Sequence, residues 1–123
     1  MDAKFFVPFD TARQLKEKGY PQLDNKHHYN LNGDMVTFSG AYEGYTEDAL
    51  IRIARDFYVA APTCHEVIDW LIGKGCPLEV FWIKSDSGLL WFCGVGVECR
   101  ITKNYSSFEE ALNAAILKAL EML

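Results

Sequence analysis

The closing stretch, Tyr105–Leu123 (YSSFEEALNAAILKALEML), restricts the fold more than any other part of the chain. Phe108, Ala111, Leu112, Ala115, Ile116, Ala119, Leu120 and Leu123 recur at the i, i+3, i+4, i+7 spacing of a helix with one buried stripe. Ser106 with Glu109, or Ser107 with Glu110, supplies a capping box at its start. A helix so apolar along one side has to lie on something. The residues before it offer three strands on which it can lie.

Leu78–Lys84 and Leu89–Val95 read as strands joined by the turn Ser85-Asp86-Ser87-Gly88. Val97–Lys103 follows as a third strand, with Val97, Cys99 and Ile101 alternating against Glu98, Arg100 and Thr102. Upstream, Pro62–Ile72 is a helix with a Thr63/Glu66 capping box and a Val67, Ile68, Leu71, Ile72 stripe. Gly73-Lys74-Gly75 and Pro77 stop it. The C-terminal half is therefore helix, three-strand meander, helix, with both helices packed on one face of an antiparallel sheet.

The N-terminal half is less sharply marked. Lys4–Phe9 is aromatic-rich and ends near Pro8, and Asp10 or Thr11 begins a surface helix that Gly19 and Pro21 terminate. Leu23–His28 reads as polar loop. HHYNL, Asn32-Gly33 and DMVTF form a hairpin signal, for which the Asn-Gly pair predicts a two-residue type I′ turn. Ser39–Tyr45 reads as loop. Thr46–Tyr58 suits a helix in its first part, although Ile51, Ile53, Phe57 and Val59 also fit extended chain. The whole is expected to be a single α+β domain over 1–123.

The two middle strands have apolar residues on both sides. Leu78, Val80 and Trp82 face one way in the first, and Phe81 and Ile83 the other; in the second, Trp91 and Cys93 oppose Leu90 and Phe92. A sheet wetted on one face carries polar residues there. Something must cover the second face: the N-terminal strand and hairpin, or another protein. Phe81, Trp82, Trp91 and Phe92, with Leu117 on the far side of the last helix, are thus the candidate ligand or partner surface.

Composition excludes several function classes. The net charge is −5, and neither half is basic: residues 1–60 carry seven Lys/Arg against nine Asp/Glu, and residues 61–123 five against eight. That balance opposes nucleic-acid binding, which depends on neutralising phosphates. The helix–three strands–helix order matches the double-stranded RNA-binding topology, but Ser106-Ser107-Phe108-Glu109-Glu110 would repel phosphate where that fold binds it. No apolar run reaches membrane length, and MDAKFFVPFD lacks a secretory pattern. The expected setting is the cytoplasm, with Cys64, Cys76, Cys93 and Cys99 as reduced thiols.

No catalytic, metal or cofactor motif stands out. The cysteines lack paired zinc-ligand spacing, and His27, His28 and His65 read as solvated imidazoles. Cys64 at a helix start beside His65 is a weak nucleophile pattern, because adjacent helical residues point about 100° apart. Gly94-Val95-Gly96 precedes no helix and lacks a third glycine, so it is not a phosphate loop. Glu47-Asp48, Glu66/Asp69 and Glu109-Glu110 occupy first turns, where they offset the helix dipole. Two function classes remain open: a protein-interaction module, or a small-molecule-binding domain or minor enzyme using an aromatic pocket at Trp82, Trp91 and Cys93.

FVPFDTARQLKEKGYP, YNLNGDM, APTCHEVIDWLIGKG and YSSFEEALNAAILKALEML, in that order, resemble a group of small uncharacterised proteins from Bacteroidetes and their phages or prophages. The chain departs from that group between Gly40 and Phe57. The resemblance implies an intracellular accessory protein of mobile-element origin and assigns no catalytic residue.

Overall fold

The computed structural model describes residues 6–22, 27–37, 46–96, 100–101 and 104–123. The chain falls into two compact units, Met1–Thr63 and Cys64–Leu123.

In the first unit, Phe9–Glu17 forms helix α1, burying Thr11, Ala12 and Leu15. Its N-cap is Pro8, which makes no side-chain cap bond, so neither Asp10 nor Thr11 starts the helix. Thr11 is instead packed inward. The stop is the expected glycine: Gly19 has φ +93°, its N–H donates to Lys16 O, and that of Tyr20 donates to Leu15 O. These are the two bonds of a Schellman motif, which consumes carbonyls the helix leaves open.

His27–Asn30 is strand β1 and Met35–Thr37 is β2, paired antiparallel with His28 opposite Val36. Both histidines expected in a polar loop are therefore in a strand, and His28 is buried. The connecting turn also differs from the two-residue form. Asn30 N donates to Asp34 O and Gly33 N to Asn30 O, leaving a three-residue loop, Leu31-Asn32-Gly33. The Asn30 side chain decides this: its Oδ1 accepts from both Asn32 N (2.9 Å) and Asp34 N (3.0 Å). Gly33, at φ +87°, supplies the left-handed residue that such a loop needs.

Glu47–Phe57 is helix α2, capped by Thr46, whose side chain accepts from Ala49 N at 3.2 Å. The helical reading of this segment holds. Extended chain takes over at Tyr58–Ala60, strand β3, which pairs with β1 on the side away from β2. The hairpin thus belongs to its own sheet, in the order β2-β1-β3. Lys16 of α1 donates through Nζ to Tyr58 O, and the Tyr29 hydroxyl donates to Val7 O. Phe6 forms a bridge with Thr63, and Val7 N donates to Pro62 O at 3.1 Å. The expected segments at residues 4–5 and the loop at 39–45 lie outside the described residues.

In the second unit, Cys64–Gly73 is helix α3, with Val67 and Leu71 fully buried. It ends in the same way as α1. Gly75 has φ +77°, Gly75 N donates to Ile72 O, and Cys76 N donates to Leu71 O. Leu78–Ser85 is β4 and Gly88–Val95 is β5, paired in register from Leu78↔Val95 to Ser85↔Gly88. Arg100–Ile101 is β6, against β5, and Tyr105 rejoins that strand by exchanging both backbone bonds with Trp91. The alternation expected at 97–99 and 102–103 lies outside the described residues.

Phe108–Glu121 is helix α4, one residue shorter at its start than a Ser106 cap would give. Of the two possible capping pairs, the chain uses Ser107 with Glu110: Ser107 Oγ accepts from Glu110 N at 3.2 Å. The Glu110 carboxylate reaches back to Ser106, accepting from its Oγ at 2.7 Å and its N at 3.3 Å. Ala111, Leu112, Ala115, Ile116, Ala119 and Leu120 are all buried. The helix packs on β4, β5 and α3, so the unit is the expected helices-on-sheet arrangement and the fold is α+β.

Candidate functional site

The β4–β5 register sorts the candidate aromatic residues between two faces. Residues directly opposite share a face in an antiparallel pair. One face therefore carries Leu78/Val95, Val80/Cys93, Trp82/Trp91 and Lys84/Leu89, and the other Glu79/Gly94, Phe81/Phe92, Ile83/Leu90 and Ser85/Gly88.

The first is the face under α4. Cys93 and Val95 are completely buried, and Trp91 meets the Phe108 ring edge-on at 5.7 Å. At the other end of the helix, Met122 lies against Gly96, its Cε 2.9 Å from where a Cβ would sit. The helix thus runs along β5 from Trp91 to Gly96, and the hairpin tip projects past its start. Trp82 sits at that limit and is 56 % exposed.

The second face is the outer one, and it is apolar. Phe81 and Phe92 stack at 5.6 Å with 17° between their planes. Both are half-buried, as is Leu90, while Ile83 is 51 % exposed. Four apolar side chains in two cross-strand pairs make a continuous stripe on this face, while exposed Trp82 and Leu89 point to the other. Alternation alone places Ile83 and Leu90 beside Phe81 and Phe92. Their exposure depends on what packs there, which alternation does not reveal.

Leu117 is half-buried on α4, on the opposite side of the sheet from the Phe81/Phe92 stack. The five candidate residues therefore do not form one surface. Phe81 and Phe92 belong together; Trp82 and Trp91 share the opposite face, where Trp91 is engaged by Phe108; Leu117 stands apart. Of the residues expected around an aromatic pocket, Cys93 has no exposed surface, Trp91 is half-buried and Trp82 is exposed.

The polar candidates are placed as follows. Cys64 opens α3, but burial raises its thiol pKa, the opposite of what an activated thiolate requires. His65 points away into solvent, 3.5 Å from Asp69, in a pair whose side chains are 85 % and 66 % exposed. Cys76 is buried, with its Sγ near Ala119 O at 4.0 Å, and its thiol is also pushed up. No group of three His, Cys, Asp or Glu with metal-binding geometry occurs among the described residues. Among the same residues no helix is long and apolar enough to cross a membrane.

The chain matches no known family model, no curated protein and no solved structure.

Proposed function

We propose that the protein acts through protein–protein contact made by the outer face of the β4–β5 hairpin, without chemistry of its own. The observation that carries this reading is the Phe81/Phe92 and Ile83/Leu90 stripe, with Ile83 more than half exposed. Contiguous apolar surface costs solubility, and soluble chains keep it where a partner covers it. A sheet face offers flat, rigid apolar area with little side-chain entropy to lose, which suits association. The acidic balance and the raised Cys64 thiol speak for contact over nucleic-acid or thiol chemistry. An accessory role of mobile-element type, implied by the resemblance to the Bacteroidetes and phage group, is part of the same proposal.

A photoreactive amino acid at position 83 tests it in the native host. The expected result is one discrete cross-linked product, lost when Phe92→Lys is added and retained when Leu117→Lys is added. No product, together with strictly monomeric light scattering, overturns the reading.

A further inference from the structure

Strand β4 forms one edge of its sheet. The order is β4-β5-β6, and among the described residues no strand other than β5 pairs with β4. The pairing fixes which backbone groups of β4 point outward. Trp91 exchanges both backbone bonds with Tyr105, so its N–H and C=O turn away from β4. Trp82 lies opposite Trp91, and opposed residues in an antiparallel pair turn their groups either both toward or both away from each other. Trp82 therefore points its N–H and C=O away from β5, and by alternation so do Leu78, Val80 and Lys84. The far end of the strand agrees. There Gly96 N donates to Pro77 O at 2.7 Å, which puts the odd-numbered residues of β4 in the positions bonded to β5.

Native sheets blunt such an edge with a short strand, a proline, a bulge or charge. β4 is eight residues long, its register with β5 runs unbroken from Leu78 to Ser85, and no proline interrupts it. Of the four residues with outward-pointing groups, only Lys84 is charged. The edge can accept a strand, and its own sequence fits a second copy. A two-fold axis perpendicular to the sheet pairs β4 with β4 antiparallel and keeps both α4 helices on one side. It also matches even-numbered residues with even and odd with odd. Centred on Phe81, it sets Leu78 against Lys84 and Val80 against Trp82, using all four outward residues in roughly eight backbone bonds. A centre one residue to either side leaves one of the four opposite the turn or beyond the strand.

The side chains suit the same centre. Phe81 of one copy faces Phe81 of the other where opposed side chains approach most closely, so the Phe81/Phe92 stack continues into a row of rings across both copies. No like charges are opposed: Glu79 meets Ile83, and Lys84 meets Leu78. Leu78 pairs with Val95, next to Gly96, against which Met122 ends α4. Lys84 of one copy thus approaches the C-terminal end of the other's α4, where a helix favours a cation.

We propose that two copies of this chain pair antiparallel along β4, about a two-fold axis at Phe81, joining their sheets into one. The contact uses the edge of the sheet and leaves the outer face free, so it stands or falls separately from the outer-face reading.

Sedimentation equilibrium of the full chain across a wide concentration range tests this with two variants. Trp82→Pro removes an N–H that the β4–β5 ladder does not use, a position where an edge strand tolerates proline. Trp82→Ala removes the same side chain and keeps the N–H. The expected result is a dimer whose dissociation constant rises at least about tenfold more with Trp82→Pro than with Trp82→Ala. In the native chain, amide protection at Val80 and Trp82 should rise with concentration, while Phe81 and Ile83, bonded to β5, are protected throughout. A strictly monomeric chain overturns the pairing, as does an equal effect of the two substitutions. A dimer in which the Val80 and Trp82 amides stay unprotected also overturns it and moves the contact to another surface. Should Trp82→Pro fail to fold, the concentration dependence of Val80 and Trp82 protection in the native chain decides alone.

Discussion

Ser106, Ser107 and Glu110 hold the start of α4 through three separate hydrogen bonds, and they respond differently to substitution and to pH. Ser107→Ala removes the acceptor for Glu110 N and should cost about 1 kcal/mol in a urea melt. Glu110 is fully exposed, and the Ser106 hydroxyl and N–H hold its carboxyl pKa below the usual carboxylate value. A depressed carboxyl pKa contributes stability that is present above the unfolded value, about 4.3, and is lost as pH falls through the folded one. The Cα shifts of Phe108 to Ala111 should therefore move toward coil only as pH falls below that value. Glu110→Gln should flatten this response and leave the rest of α4 unchanged. A fraying curve that is the same in both proteins would show that another group is titrating.

At the scale of elements, the two glycines at the end of α3 make a matched test. Gly75 has φ +77° and nothing within 4 Å of the position a Cβ would take, so Gly75→Ala meets backbone strain and no clash. It should destabilise by about 1–2 kcal/mol. Gly73, the last residue of α3, has equally open space and no positive φ, and Gly73→Ala should be neutral or stabilising by up to about 1 kcal/mol. On α4, Ile116 is completely buried and Leu117 half-buried, so Ile116→Ala should cost about 2–5 kcal/mol and Leu117→Ala about 1 kcal/mol or less. The glycine ends and the middle of each stripe were legible in the sequence, because glycine and the 3.6-residue period act locally; Ile72 on α3, and Phe108 and Leu123 at the two ends of the α4 stripe, share the spacing but are exposed, since the period does not say where the covering surface stops. The misses have a different cause. The Asn-Gly pair located the hairpin, but the Asn30 side chain, bonded to two backbone N–H groups, selected the longer loop. β3, with three residues, is too short to display a period and is defined by pairing with β1, which lies some thirty positions earlier. His28 reads as a loop residue by polarity, and only tertiary packing makes it a core one.

At the scale of the molecule, alternation assigned every aromatic residue of β4 and β5 to its face, but not the degree to which each face is covered. The α4 side is closed by a helix whose central stripe, Ala111 to Leu120, is visible in the sequence. The outer stripe is different: its pattern shows an apolar face without showing its cover. That difference sets the last prediction. The chain carries a net charge of −5 and a sequence pI near 5.1, so charge repulsion between molecules fades as pH approaches 5. With repulsion gone, the Ile83/Leu90 and Phe81/Phe92 pairs should dominate association. Static light scattering of the native chain should rise steeply with concentration near pH 5 and fall at pH 7.5. Ile83→Glu places a carboxylate at a position already 51 % exposed, so little burial is lost and Tm should hold within a few degrees. The same substitution interrupts the stripe at its most exposed member and should suppress the scattering near pH 5. Leu31→Glu serves as the control: Leu31 is 63 % exposed at the β1–β2 turn of the first unit, and the substitution adds the same charge outside β4 and β5. If the two variants suppress association equally, net charge governs it and the outer face does not. If Ile83→Glu acts and Leu31→Glu does not, the adhesive surface is the stripe on β4 and β5.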